Sequence, residues 1–429
     1  MRRPRPSRRD LARLLGGAVL APGALALPRL ALAQDATERR FLFVFVNGGW
    51  DPTFVFTPDL EDSGVWQDPD GRAAEAGGHR FVDAPNRPAV RDFFARWGNR
   101  AAVLNGIEVR SVTHEACRRI ALTGGTDPLS DDWPALIAGN RGDDILPDLV
   151  LSGPAFTARH TGVVTRAGPD GQLGRLLQGT AVQQGDLPAD VLGDAATARV
   201  EAFLADEAVA LRAGHARGQA AGWLDDYAST VSNLDRVRVL GRELSLGGLD
   251  DDWLYVRERV QPAIDAFALG LSRCAVVEHL GEWDVGWDTH SGIGTQAAHY
   301  QTLFVDLNDI LANLAETPGP SGGPLLDEVT VVVMSEMGRA PALNAVGGKD
   351  HWTFTSAMLI GAGVQGGAVA GAYEAGLIGA PTDLATGRAD AEGTRITSAH
   401  LGATLVSLAG LDAAALVPGA APITAVIQT

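Results

Sequence analysis

The chain has 429 residues, 52 acidic and 35 basic side chains, and a formal net charge of −17. That balance excludes a polyanion such as DNA as a partner, and the length admits two or three domains at about 150 residues each. Acidity of this kind usually reflects a solvated surface, and it is compatible with divalent metal binding.

At the N-terminus, Ser7-Arg8-Arg9-Asp10-Leu11 precedes a weakly apolar stretch from Leu14 to Leu27 and an Ala31-Leu32-Ala33 cleavage pattern. This reads as a twin-arginine export signal over residues 1–33, with the mature chain beginning at Gln34. Its apolar core is shorter than the roughly 20 residues that span a bilayer, so a periplasmic or secreted protein with no stable membrane span is expected. Losing seven arginines and one aspartate takes the charge from −17 to −23. Cys117 and Cys274 are expected to pack as small apolar thiols rather than to form a disulfide.

The mature chain, 34–429, reads as one α/β domain with a helical insertion at about 194–273. Phe41 to Val46 is a buried strand ending in Asn47-Gly48-Gly49-Trp50-Asp51, and Ala101 to Asn105 and Asp148 to Leu151 are further strands. Helical patterns lie between them, as in βαβ units. From Asp194 to Arg273 apolar residues recur only at helical spacing, including Val200, Phe203, Val260, Ile264 and Phe267, which suits a cap or side bundle. A strand at Cys274 to Val277 leads to Gly286-Trp287-Asp288-Thr289-His290, and a helix carrying Tyr300, Leu303, Leu307 and Ile310 follows.

Val329 to Met334 is an unbroken, mostly β-branched run, which suits a strand covered on both faces. It ends abruptly in Ser335-Glu336-Met337-Gly338-Arg339, and a glycine-rich loop then brings Lys349-Asp350-His351-Trp352. In open parallel sheets ligands bind outside the carboxyl ends of strands, where Asp51, Asp288, His290, Glu336 and His351 all fall. Convergence there gives mixed nitrogen and oxygen donors suited to zinc, manganese or iron, with one or two ions. Taken singly, an aspartate after a strand is a turn former and a lone histidine is a hydrogen-bonded structural residue.

Thr113-His114 opens a helical pattern. Thr113 is either its N-cap or, with His114, a hydroxyl and imidazole at the positive helix end facing the site. Lys349 is the chain's one lysine, beside Asp350-His351. His114-Glu115 lacks the second histidine of H-E-x-x-H because position 118 is arginine, and Gly361 to Gly366 matches G-x-G-x-x-G without a helix to follow.

The leader, NGGWD, VTHEA, GWDTHS, VVVMSEMGR, Asn344, GGKDHW, IGAGVQGG and SAHLGATLVSLAGL together resemble the bacterial family called domain of unknown function 1501, over roughly residues 40 to 412. The resemblance implies the alkaline phosphatase and sulfatase-like superfamily, with a doubly wound, mostly parallel α/β sheet carrying metal ligands at its strand ends. It implies Asp51, Asp288, His290, Glu336 and His351 as ligands and Thr113 near a hydroxyl nucleophile, and Asp350 beside His351 is a further candidate ligand. The expected activity is metal-dependent hydrolysis of a small anionic phosphate or sulfate ester, Arg339 and Lys349 holding its oxygens and the twin-arginine translocase exporting the enzyme. The alternative is a non-catalytic exported binding or assembly protein.

Overall fold

The computed structural model describes residues 39–140, 144–167, 182–184, 187–189, 194–214, 222–225, 227 and 255–428. The leader expected over 1–33 lies outside them, as does most of 215–254. The principal sheet has eight strands: β1 (Arg40–Val46), β2 (Ala101–Glu108), β3 (Asp148–Val150), β4 (Val164–Arg166), β5 (Cys274–His279), β6 (Val329–Ser335), β7 (Phe354–Gly361) and β8 (Ala368–Ala370). Their order is β8-β2-β7-β6-β1-β5-β3-β4. Every neighbouring pair is parallel except the two made by β7, which is antiparallel to both β6 and β2.

The central strand shows why the sheet sits where it does. Phe41, Phe43 and Phe45 enter one core while Leu42, Val44 and Val46 enter the other, so both faces of β1 are dry. On one side lie helices α1 (Pro88–Trp97), α5 (Gln261–Ala268) and α6 (Thr295–Glu316). On the other lie α2 (His114–Thr123), α3 (Trp133–Gly139) and α7 (Ser398–Leu408). Each fully buried Phe or Leu contributes about 1.5–3 kcal/mol, which makes β1 costly to expose. Among the described residues no helix is long and apolar enough to cross a membrane.

The stretch expected to form an insertion divides. Helix α4 (Asp194–Gly214) leaves Val200, Phe203 and Val209 exposed, whereas Val260, Ile264 and Phe267 are buried against the sheet. The segment from Val256 onward is therefore core, not cap, which corrects the expected boundary at 273. Both cysteines are buried free thiols.

Two acids lie deep beneath the sheet edge. Asp132 caps α3 by accepting from Ala135 N, and also accepts from Phe156 N. Asp148 on β3 is wholly buried with neither carboxylate oxygen hydrogen-bonded. Burial, with Asp131 adding like charge and two backbone donors and Arg166 opposing, pushes Asp132 up to about 7. Burial and Asp132 raise Asp148 well above the carboxylate range. Such acids hold protons in the folded chain at pH values where the unfolded chain has lost them, so stability falls as pH rises from about 4 to 7. Asp148→Asn should thus raise the melting temperature by a few degrees at pH 8 and leave it nearly unchanged at pH 4. An equal gain at both would show that charge is not the cause.

Candidate metal centre

The carboxyl ends of β1, β5 and β6 meet around Gly48. Its φ of +118° is open only to glycine, and an added Cβ would lie 2.6 Å from the backbone nitrogens of Trp287 and Asp288. That close approach brings the loop after β5 over the end of β1. Gly48 N–H in turn donates to Glu336 Oε1 at 2.7 Å.

Three imidazoles converge there, each with Nδ1 committed to an acceptor. His114 Nδ1 donates to Glu336 Oε1 at 3.0 Å, His290 Nδ1 to Asp350 Oδ1 at 3.1 Å, and His351 Nδ1 to the Val112 carbonyl at 2.7 Å. Protons placed on Nδ1 by these acceptors leave the Nε2 lone pairs facing inward, the arrangement metal-binding histidines adopt. His114 Nε2 lies 3.3 Å from Asp288 Oδ2, while His290 Nε2 and His351 Nε2 lie 3.2 and 3.4 Å from Asp288 Oδ1. Ligands about 2.0–2.1 Å from a tetrahedral ion stand about 3.3–3.4 Å apart, which these spacings match. The Nε2 atoms of His290 and His351 are only 2.8 Å apart. Two lone pairs at that distance repel unless a cation or proton lies between them. The donors of His114, Asp288 and His351 all lie within 4.8 Å of one another and fit a divalent metal, with His290 Nε2 beside them.

Electrostatics keep the carboxylate ionised. Burial acts to raise Asp288, but Arg339, whose Nη2 is 2.8 Å away, and the neighbouring histidines outweigh it and hold it below its ordinary value. The Glu336 hydrogen bond, against partial burial and aided by the charges of Glu336 and Asp288, raises His114.

The remaining expected site residues have other places. Glu336 accepts from His114 and Asp350 from His290, behind the Nε2 donors. Asp51 is a fully buried cap on the short helix at Pro52–Phe54, accepting from Thr53 N at 3.0 Å, and its Oδ2 is 2.7 Å from Lys349 Nζ. Asp51 thus has an ammonium partner. Lys349, also fully buried, donates to the Trp66 carbonyl at 3.0 Å, which corrects its expected role on substrate oxygens. Arg339 is likewise consumed: its donors reach the carbonyls of Gly49, Lys349, Gly48 and Trp287 besides Asp288, and none of it is exposed. Thr113 stands at the N-cap position of α2, but its hydroxyl makes no capping hydrogen bond.

Gln296 went unread in the sequence. Fully buried, it accepts from Asp51 N at 3.0 Å and donates to the Gly49 and Trp287 carbonyls and Thr289 Oγ1. Its position four residues before Tyr300, on the apolar face of α6, was the available signal.

Residues 269–422, about a third of the chain, match the family described as Protein of unknown function (DUF1501). The match takes in Asp288, His290, Glu336 and His351 but not the segments bearing Asp51 and His114, and so is narrower than the resemblance over 40 to 412. No curated protein matches the chain. Among solved structures the chain is similar to Ps i-CgsB in complex with k-i-k-neocarrahexaose, at 10% identity and a TM-score of 0.37, covering 88% of this chain and 72% of that one. It is also similar to a protein solved with its substrate D-glucosamine-2-N,6-O-disulfate, at 10% identity and a TM-score of 0.34 over 90% and 79% of the two chains. A protein from work on glycosaminoglycan metabolism by Bacteroides thetaiotaomicron is similar at 10% identity and a TM-score of 0.36, over 90% and 75%.

Proposed function

We propose that the chain is an exported, metal-dependent hydrolase of phosphate or sulfate esters. The observation that supports it best is the set of three inward Nε2 atoms around Asp288, each imidazole fixed from behind by an acceptor. His114, Asp288 and His351, with His290 beside them, would hold one ion of zinc, manganese or iron. A bound divalent ion supplies Lewis acidity toward an ester oxygen and lowers the pKa of water.

The chain's own groups do the rest. Glu336, Asp350 and the Val112 carbonyl keep the three imidazoles in the tautomer that leaves Nε2 free. Arg339 keeps Asp288 ionised. Asp288 and His290 have side chains 42% and 44% exposed, so one side of the centre is open to a substrate from solvent. The Thr113 hydroxyl, at the N-cap position of α2 beside His114 and making no capping hydrogen bond, would serve as nucleophile or orient the ester. The Asp51–Lys349 pair argues for one ion rather than two. The leader over 1–33 carries the export part of this reading, with the twin-arginine translocase as the partner that recognises it.

Metal analysis and turnover together test it. Mature protein made without the leader should hold about one equivalent of zinc, manganese or iron and cleave aryl phosphates or sulfates. Chelation should abolish turnover and re-addition restore it. Stoichiometric metal with no activity across both ester classes would support the exported binding protein, and absence of metal would overturn the reading.

A further inference from the structure

With Arg339 and Lys349 both consumed in the interior, Arg118 is, among the described residues, a cation near His114 with donors to spare. Arg118 lies one turn after His114 on α2, so the two share a helix face. Its Nε donates to Asn47 Oδ1 at 3.1 Å, and Asn47 Nδ2 donates to Glu278 Oε1 at 2.7 Å. Asn47 is itself fixed at the end of β1, its N–H on the His279 carbonyl and its own carbonyl taking Trp287 N–H. Arg118 is half-buried, and among the described residues no acceptor takes its two Nη groups. An arginine anchored through Nε with its planar Nη pair unspent has the form of a clamp for two oxygens of one tetrahedral anion.

We propose that Arg118, oriented by Asn47 and Glu278, is the oxyanion-binding side chain of this centre, and that it selects substrates carrying a phosphate or sulfate group. The inference rests on the hydrolase reading for what lies beside the anion, but not for the anion contact itself. Burial pushes the Glu278 carboxyl up, against the pull of Asn47 and Arg118. Helix α2 would thus deliver two groups from one face, His114 to the ion and Arg118 to the anion.

The test is calorimetric titration of the mature protein with inorganic phosphate and, separately, inorganic sulfate, alongside metal content and thermal unfolding. Wild-type protein should bind at least one of the two. R118Q should weaken that binding about tenfold or more while metal content and melting temperature stay at wild-type levels, because one charge-assisted pair is lost and no ion donor is touched. R118K should recover part of the loss, and N47A should weaken binding less than R118Q does. Phosphate and sulfate affinities of R118Q within twofold of wild type, or no binding of either anion by wild type, would overturn the proposal. A metal-free wild-type protein would overturn the hydrolase reading alone, since the R118Q comparison still reports the anion contact.

Discussion

Replacing His351 by alanine is expected to strip the metal from the mature protein while leaving it folded. In the proposed centre the side chain would be one of the donors, and its removal also leaves the Val112 carbonyl and His290 Nε2 without their partner. Glu336→Gln should act more mildly, because a glutamine oxygen still accepts from His114 Nδ1 and Gly48 N, while its amide can donate to Ser335 Oγ, which already donates to the Val46 carbonyl. What is lost is the charge that fixes the proton on Nδ1, and partners of this kind are worth about 10–100-fold in metal affinity. The double variant should add little to His351→Ala alone, since a centre short of one donor has little left to lose. Metal analysis beside thermal unfolding of the three proteins decides the matter. Wild-type metal in all of them would sink the metal centre, and a falling melting temperature with metal retained would assign both residues to structure.

The parts of this molecule that were legible in the sequence are those whose signal is local. The β1 and β6 runs read as strands buried on both faces because Phe41 to Val46 and Val329 to Met334 are almost wholly apolar, and they lie side by side in parallel register. Polar residues breaking abruptly from such runs marked the sheet edge where three imidazoles and Asp288 come together. Partnership was not legible, because it depends on contacts hundreds of residues apart. Arg339 and Lys349 carry charge that reads equally well as substrate-binding or as structural, and only the carbonyls and the Asp51 carboxylate around them decide. The same holds for Glu336, whose place behind His114 spans 222 positions. Helical spacing also failed to separate cap from core: Phe203 and Phe267 occur in similar apolar patterns, yet the first is 64% exposed and the second wholly buried.

Lys349→Met carries the largest expected cost in stability, and it separates the structural role of this lysine from the catalytic one that its sequence neighbours imply. Lys349 Nζ and Asp51 Oδ2 are 2.7 Å apart with neither side chain exposed. Removing one member of a buried pair strands the other charge, which costs about 3–5 kcal/mol. Methionine fills similar volume, so the loss reports charge rather than a cavity. The backbone at 349 is untouched, so its N–H still reaches the Thr289 carbonyl and its carbonyl still takes Arg339 Nη1. The donors around Asp288 therefore keep their places, and metal content should match wild type under native conditions. Adding Asp51→Asn to Lys349→Met should recover more than half of the lost stability. Asparagine Oδ1 can still cap Thr53 N–H, and no net charge remains in the dry pocket. Denaturant unfolding of the two single variants and the double reads the coupling directly. A Lys349→Met protein of wild-type stability whose turnover alone collapses would return this lysine to the substrate.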